Sequence, residues 1–256
     1  MYISKRADVC AFAIADAFRG DGESLCNPIG PLPLIGGRFA RLSFEPDLAI
    51  TDGFYTLIAN TPPVGVEPME RVVEHWNPYR SMFGRLWRGK RHVMMGASQI
   101  DRYGNQNIAA IGDWHQPKAQ LLGFRGAPGN TINHTTSYWV PNHSPKSMVA
   151  KVDVVCGIGY DRAAELGEAG RFHEVRRVIT NLGAFDFSGR DSSGLPTMTL
   201  RTVHPWSSVD EIVAATGFEL VIADDVRQSR IGTPAEIEML DQVDPKGIRF
   251  SEVADD

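Results

Sequence analysis

The apolar positions near the start of the chain recur at helical spacing. Val9, Ala13 and Ala17 repeat every four residues, with Ile14 and Phe18 one step round, so an amphipathic helix is expected over Lys5–Arg19. A short strand is predicted at Ser24–Asn27. The Gly/Pro-rich run NPIGPLPLIGG reads as a loop leading into a second helix that ends near Arg41. LAIT (Leu48–Thr51) reads as a buried strand, and a Pro/Gly-rich loop runs from Asp52 to Pro68. Pro78–Arg88 reads as helical and HVMMGA (His92–Ala97) as a further buried strand. The second half is more β-like, with TSYWV, KVDVVCGI, EVRRVIT and TMTLRTV as strand candidates.

Two helices close the chain, each with a local start signal. Ser208 and Glu211 have capping-box spacing, with Gly217 as the expected stop. Thr233-Pro234-Ala235-Glu236 combines an N-cap, a proline in the first turn and an acid at the third position. Strands alternating with helices predict an α/β fold with a parallel sheet. In such sheets the loops at the carboxyl ends of the strands gather around the ligand, so those after Asn27, Thr51 and Ala97 are expected on one edge. No linker stands out, and residues 1–256 read as a single α/β domain with a β-rich C-terminal half.

Composition narrows the function classes. The chain is acidic, with a formal net charge of −5 and no basic run, which argues against nucleic-acid binding. Asp8 and Asp16 break the N-terminal apolar stretch, so it does not read as a signal peptide. No window approaches the ~20 apolar residues of a membrane span. Cys10, Cys26 and Cys156 form no Cys-x-x-Cys and are odd in number, so structural thiols in a reducing cytoplasm are expected. None of the seven histidines has the spacing of a helical metal site, and no metal is expected. His134 and His143, flanking TSYWV near a glycine-rich loop, are the two most worth locating.

Three segments carry candidate chemistry. IGPLPLIGG has glycines at 30, 36 and 37 at a strand-to-helix junction. Gly36 there either serves a tight turn or leaves backbone N–H groups open to an anion. In Asp101-Arg102-Tyr103-Gly104-Asn105 the short polar side chains either satisfy a turn or form a polar network beside a ligand. In GFRGAPGN, glycines at 123, 126 and 129 surround Arg125. That cation is either half of a surface salt bridge or a group aimed at whatever the loop encloses, where its planar fork suits an anion.

The run GASQIDRYGNQNIAAIGDWHQPKAQLLGFRGAPG closely resembles the β-subunits of class I CoA transferases, glutaconate CoA-transferase among them. PLPLIGGRFA, AITDGF, ATGFEL and Asp244-Pro245 extend the likeness over most of the chain. The resemblance implies an open α/β/α sandwich of the CoA-transferase type with a mostly parallel sheet. It also implies an α-subunit of the same family as partner, in a heterotetramer. At the position of the transferases' nucleophilic glutamate this chain carries Thr51, which cannot form the acyl anhydride, and Asp52 next to it is expected to face the other way. Arg125 departs from the small residues of the transferase loop.

VMMGASQIDRYGNQNI, GFRGAPGNTINHTTSYWV, VVCGIGYD and NLGAFDF resemble more narrowly the β-subunits of the hydrolases that open the last steroid ring in actinobacterial cholesterol catabolism. That implies hydrolytic, retro-Claisen-type cleavage of a carbon–carbon bond in a cyclic β-keto acyl-CoA, with a glutamate base in the α-subunit. CoA is then part of the substrate and no separate cofactor is implied. On this reading Arg125 is the catalytic group and the Gly126–Ala127 backbone supplies oxyanion donors. Thr51, Asn105 and Gly36 are substrate contacts. The alternatives are a CoA transferase using Asp52 or a partner carboxylate, and a non-catalytic partner subunit.

Overall fold

The computed structural model describes residues 4–53 and 56–253. Phe54, at the end of the AITDGF segment, and Met1–Ile3 lie outside the described residues. Where sequence had suggested one unit, the contacts divide the chain into two compact ones, residues 1–95 with 230–256, and 96–229.

The first unit begins with α1 (Arg6–Ala17), β1 (Leu25–Pro28) and α2 (Pro31–Ser43). Then come β2 (Ile50–Thr51), β3 (Thr56–Ile58), β4 (Val73–Trp76), α3 (Tyr79–Gly84) and β5 (Arg91–Gly96). β1 runs parallel to β5, with Leu25 opposite Arg91 and Pro28 opposite Met94. β2, β3 and β4 form a small antiparallel sheet. α1 is not amphipathic as expected but buried almost all round, with Phe12 packed edge-on against Phe39 of α2. Its two acids are ion-paired rather than solvated: Asp8 with Arg249 at 2.7 Å and Asp16 with Arg230 at 2.8 Å.

The expected Gly/Pro loop is mostly the start of α2. Pro31 and Pro33 occupy its first turn, where a missing N–H leaves no bond unmade. Gly36 lies inside the helix, where a Cβ would stand 2.5 Å from Ile14 Cγ2. Its role is therefore close packing of α2 on α1, and the expectation of a ligand-facing Gly36 is corrected. The Asp52–Pro68 loop contains β3, and β4 follows it unforeseen.

The second unit opens with two hairpins, β6 (Gln99–Ile100) with β7 (Gln106–Asn107), and β8 (Ala110–Gly112) with β9 (Pro117–Gln120). α4 (Ala127–Asn133), β10 (Thr135–Val140) and α5 (Tyr160–Glu165) lead to β11 (Glu174–Thr180), β12 (Gly183–Arg190) and β13 (Pro196–Val203). α6 (Val209–Ala214) and β14 (Val221–Gln228) end it. The strands lie in the order β10-β11-β12-β13-β14, parallel at both outer pairs and antiparallel at the two inner ones. α7 (Pro234–Val243) returns to the first unit and packs on α2.

Both closing helices have the foreseen capping boxes. Gly217 is not a left-handed stop for α6: it lies where a Cβ would meet the Met148 carbonyl at 2.6 Å. KVDVVCGI is not a strand but an irregular segment, bridged to the β7 hairpin at Gly157. Among the described residues no helix is long and apolar enough to cross a membrane, and no His/Cys/Asp/Glu group could hold a metal.

Candidate active site

The second unit positions Arg125. β9 delivers the chain into Leu121–Gly126, where Leu121 and Gly123 donate their N–H groups to the Ala109 and Ile108 carbonyls. Arg125 then takes φ 51°, the left-handed region; among the described residues no other non-glycine has a positive φ. For an L-residue that conformation costs roughly 1–2 kcal/mol. The side chain is exposed and makes no hydrogen bond or ion pair with the described residues, so the salt-bridge alternative falls away. Gly126 caps α4. The Ala127 N–H closes a turn onto the Phe124 carbonyl at 3.1 Å, so of the two expected oxyanion donors only the Gly126 N–H is uncommitted among the described residues. Leu122, Phe124 and Trp114 are exposed, and the rings of Trp114 and of Phe124, which precedes Arg125 in the chain, meet edge to face.

The conspicuous DRYGNQN turn is the scaffold beneath this loop. The Asp101 carboxylate accepts from the backbone N–H groups of Tyr103 and Asn105. Burial nevertheless pushes its carboxyl up to about 6. Asn105 is buried; its Nδ2 donates to Asp101 at 3.0 Å and Asp161 at 2.9 Å, and its Oδ1 accepts from the Gly159 N–H at 2.8 Å. All of its polar atoms are thus engaged within the protein, so Asn105 is a framework residue and the substrate contact expected of it is corrected. The segment it pins continues to Ile158, whose N–H donates to Thr131 Oγ1 of α4. Gly159 is obligatory there, since a Cβ would come within 2.4 Å of the Tyr103 carbonyl. Turn, irregular segment and helix form one chain of contacts ending in α4, whose first residue, Ala127, follows Arg125 by two positions.

His143 and His204 are structural. His143 sits between the Thr180 and Thr216 hydroxyls at 3.1 and 3.0 Å, and burial pushes its imidazole down to about 4. His204 donates to the Thr180 carbonyl, and burial pushes it to about 4 as well. His134 is buried.

The first unit places Thr51 on the wall of a cavity of about 70 Å³, together with Asn27. The Thr51 hydroxyl accepts from the Gly53 N–H. Asp52 is turned out of this cavity, as alternation predicts: its carboxylate accepts from Thr56 N–H and lies 3.3 Å from Arg71 Nε. The same cavity gathers Arg38, Arg85 and Arg91, a cluster missed in the sequence because its members lie far apart along the chain.

The sequence pattern described as Coenzyme A transferase matches residues 83–215. The cholesterol ring-cleaving hydrolase IpdB subunit of Rhodococcus jostii is 46% identical over 250 residues, covering 97% of this chain and 96% of that one. The crystal structure of R. jostii RHA1 IpdAB superposes with a TM-score of 0.91 at 44% identity, over 99% of this chain and 100% of the other. Glutaconate coenzyme A-transferase of Acidaminococcus fermentans superposes at 0.78 with 25% identity, over 95% of both chains. The α/β fold with its mostly parallel pairing is thus the fold of these proteins. By sequence and by structure, this chain belongs to the coenzyme A transferase family.

Proposed function

We propose that this chain is the β-subunit of a heteromeric cytoplasmic hydrolase that opens a ring of a steroid-derived cyclic β-keto acyl-CoA. Likeness to the cholesterol ring-cleaving hydrolase subunit over nearly the whole chain supports the reaction class. The observation that carries it is Arg125, an exposed guanidinium without a partner among the described residues, held in a strained backbone beside an N–H that none of them accepts from. Strain of this kind persists where surrounding structure imposes it, and clusters at sites of function.

The chemistry balances with one water. A carboxylate base of the partner α-subunit takes a proton as water adds to the ring ketone, giving a tetrahedral alkoxide. Collapse breaks the bond to the carbon next to the thioester. A new carboxylate forms, and the thioester enolate left behind takes a proton at carbon. CoA stays attached throughout, and the reaction as written needs no cofactor or metal. Negative charge develops on oxygen at both stages, and a fixed guanidinium with a backbone N–H stabilises it, a single such donor contributing roughly 3–4 kcal/mol in a water-poor site. Leu122, Phe124 and Trp114 supply the apolar border that keeps water scarce once the partner and substrate are in place.

The transferase reading needs a nucleophilic carboxylate here, and Asp52 is tied to Arg71 and Thr56, turned from the cavity. The two reactions separate in heavy-oxygen water with the reconstituted complex. Hydrolytic ring opening places one labelled oxygen in the new carboxylate and leaves CoA bound. A hydroxylamine-trapped acyl adduct on this chain, or CoA moved to an acceptor acid with the ring intact, contradicts the proposal.

A further inference from the structure

A cleft of about 390 Å³ in the second unit is walled by segments other than the loop that holds Arg125. Its size falls in the range of small-molecule sites, roughly 300–1,000 Å³. Thr197, near the start of β13, lines it and is only 4% exposed, yet its hydroxyl meets no partner among the described residues. Thr199, two residues on, shows the satisfied case: its hydroxyl accepts from the Gly189 N–H at 2.8 Å and donates to the Thr197 carbonyl at 3.1 Å. Gly189 also keeps the Thr197 hydroxyl clear, since a Cβ there would stand 3.1 Å from it and 3.1 Å from Val221 Cγ1. The Met198 N–H donates to the Arg102 carbonyl at 2.7 Å, which fixes Arg102 beside this strand. The buried Nε of Arg102 likewise meets no acceptor among the described residues. A buried polar atom left unmatched costs roughly 1–3 kcal/mol. Two of them on residues that line one cleft point to a ligand that satisfies both.

The charges of the lining narrow the ligand's chemistry. Asp191 is fully engaged: Oδ1 accepts from the Ser193 and Leu195 N–H groups and Oδ2 from the Tyr103 hydroxyl, with Arg102 Nη2 at 3.6 Å. Two charges are left over. Arg190 is fixed by donating to the Phe187 and Gly189 carbonyls but makes no ion pair with the described residues. Glu219 is exposed and makes neither hydrogen bond nor ion pair with them. The cleft therefore presents donors in Arg102 Nε, Thr197 and Arg190, and one open carboxylate in Glu219. A plain anion would leave Glu219 unmatched and a plain cation would leave the arginines so; a zwitterion matches both. Leu220 and Val221 add an apolar strip. We infer that this cleft binds a free α-amino acid with an aliphatic side chain. Its carboxylate accepts from Arg102 Nε and the Thr197 hydroxyl, a charge-assisted arrangement. Its ammonium pairs with Glu219, and its side chain lies on Leu220 and Val221. None of these residues takes part in the ring opening proposed above.

The test is calorimetry on the full chain in its reconstituted complex, with three probes of one shape. L-Leucine carries both charges, isocaproate lacks the ammonium and isoamylamine lacks the carboxylate. L-Leucine is expected to bind saturably, and each of the other two at least about tenfold more weakly, the range of one charge-assisted hydrogen bond. Thr197→Val, close in shape, weakens L-leucine and isocaproate alike. Glu219→Gln weakens L-leucine and leaves isocaproate unchanged; the residue is exposed, so this arm stands even if Thr197→Val fails to fold. Absence of saturable L-leucine binding in the wild type overturns the inference. Isocaproate binding as tightly as L-leucine also overturns it, since the cleft is then a plain anion site. L-Leucine affinity unchanged in Glu219→Gln contradicts it as well, because the ammonium then lies elsewhere.

Discussion

Arg125 combines two features that sequence reveals unequally. A cation among glycines is visible in GFRGAPGN; its left-handed backbone is not, because arginine gives no signal for positive φ. Replacing it with glycine separates strain from function. Relief of roughly 1–2 kcal/mol is partly offset by the greater freedom glycine gives the unfolded chain, roughly 0.5–1 kcal/mol. Arg125→Gly is therefore expected to hold or gain up to about 1 kcal/mol of stability in urea titration while losing activity. A clear loss of stability would show that the arginine also supports the fold. Asn105 illustrates the opposite case. Its turn chemistry was legible in DRYGN, but which of the two open readings applied depended on Gly159 and Asp161, far along the chain.

Elements were legible where their signals are local. The capping boxes at Ser208 and Thr233 and the strand EVRRVIT (Glu174–Thr180) are where their residues place them. KVDVVCGI is as apolar as a strand, but its backbone meets side chains and the β7 hairpin instead of a ladder. β14 was not foreseen because VIADDVRQ is mostly exposed and carries two adjacent acids. The glycines of α2 misled for a physical reason: a glycine that lets two helices touch and one that lets a ligand approach look alike until the neighbour is known. Gly36→Ala tests the helix contact, since its Cβ must displace Ile14 or part α1 from α2. A loss of roughly 1–3 kcal/mol is expected, the usual range for overpacking. An unchanged melting temperature would refute the packing role.

At the scale of the whole molecule, buried imidazoles couple stability to pH. His143 and His204 are held down to about 4, against 6.5 in the unfolded chain. Between these values the unfolded state takes up protons that the folded state refuses, so stability is full above 6.5 and falls as pH drops toward 4. Each contributes up to about 3 kcal/mol over that window. Asp101, held up to about 6, acts in the opposite sense, so the comparison is between proteins and not absolute. In His143→Gln the loss of stability from pH 6.5 to 4 is smaller than in wild type by about 2–3 kcal/mol; parallel pH profiles would show that His143 does not titrate this way. The family was legible because motifs such as GASQIDRYGNQNIAAIGD are long and local, whereas the three-arginine cavity exists only once α2, β5 and the residue that caps α3 have converged. The central claim remains that Arg125 stabilises the charge developed in ring opening. Its most direct test is kcat/KM for a cyclic β-keto acyl-CoA in the reconstituted complex, wild type against Arg125→Ala, with assembly checked by gel filtration. A fall of roughly 10²–10³ is predicted; a value close to wild type in an intact complex would contradict it.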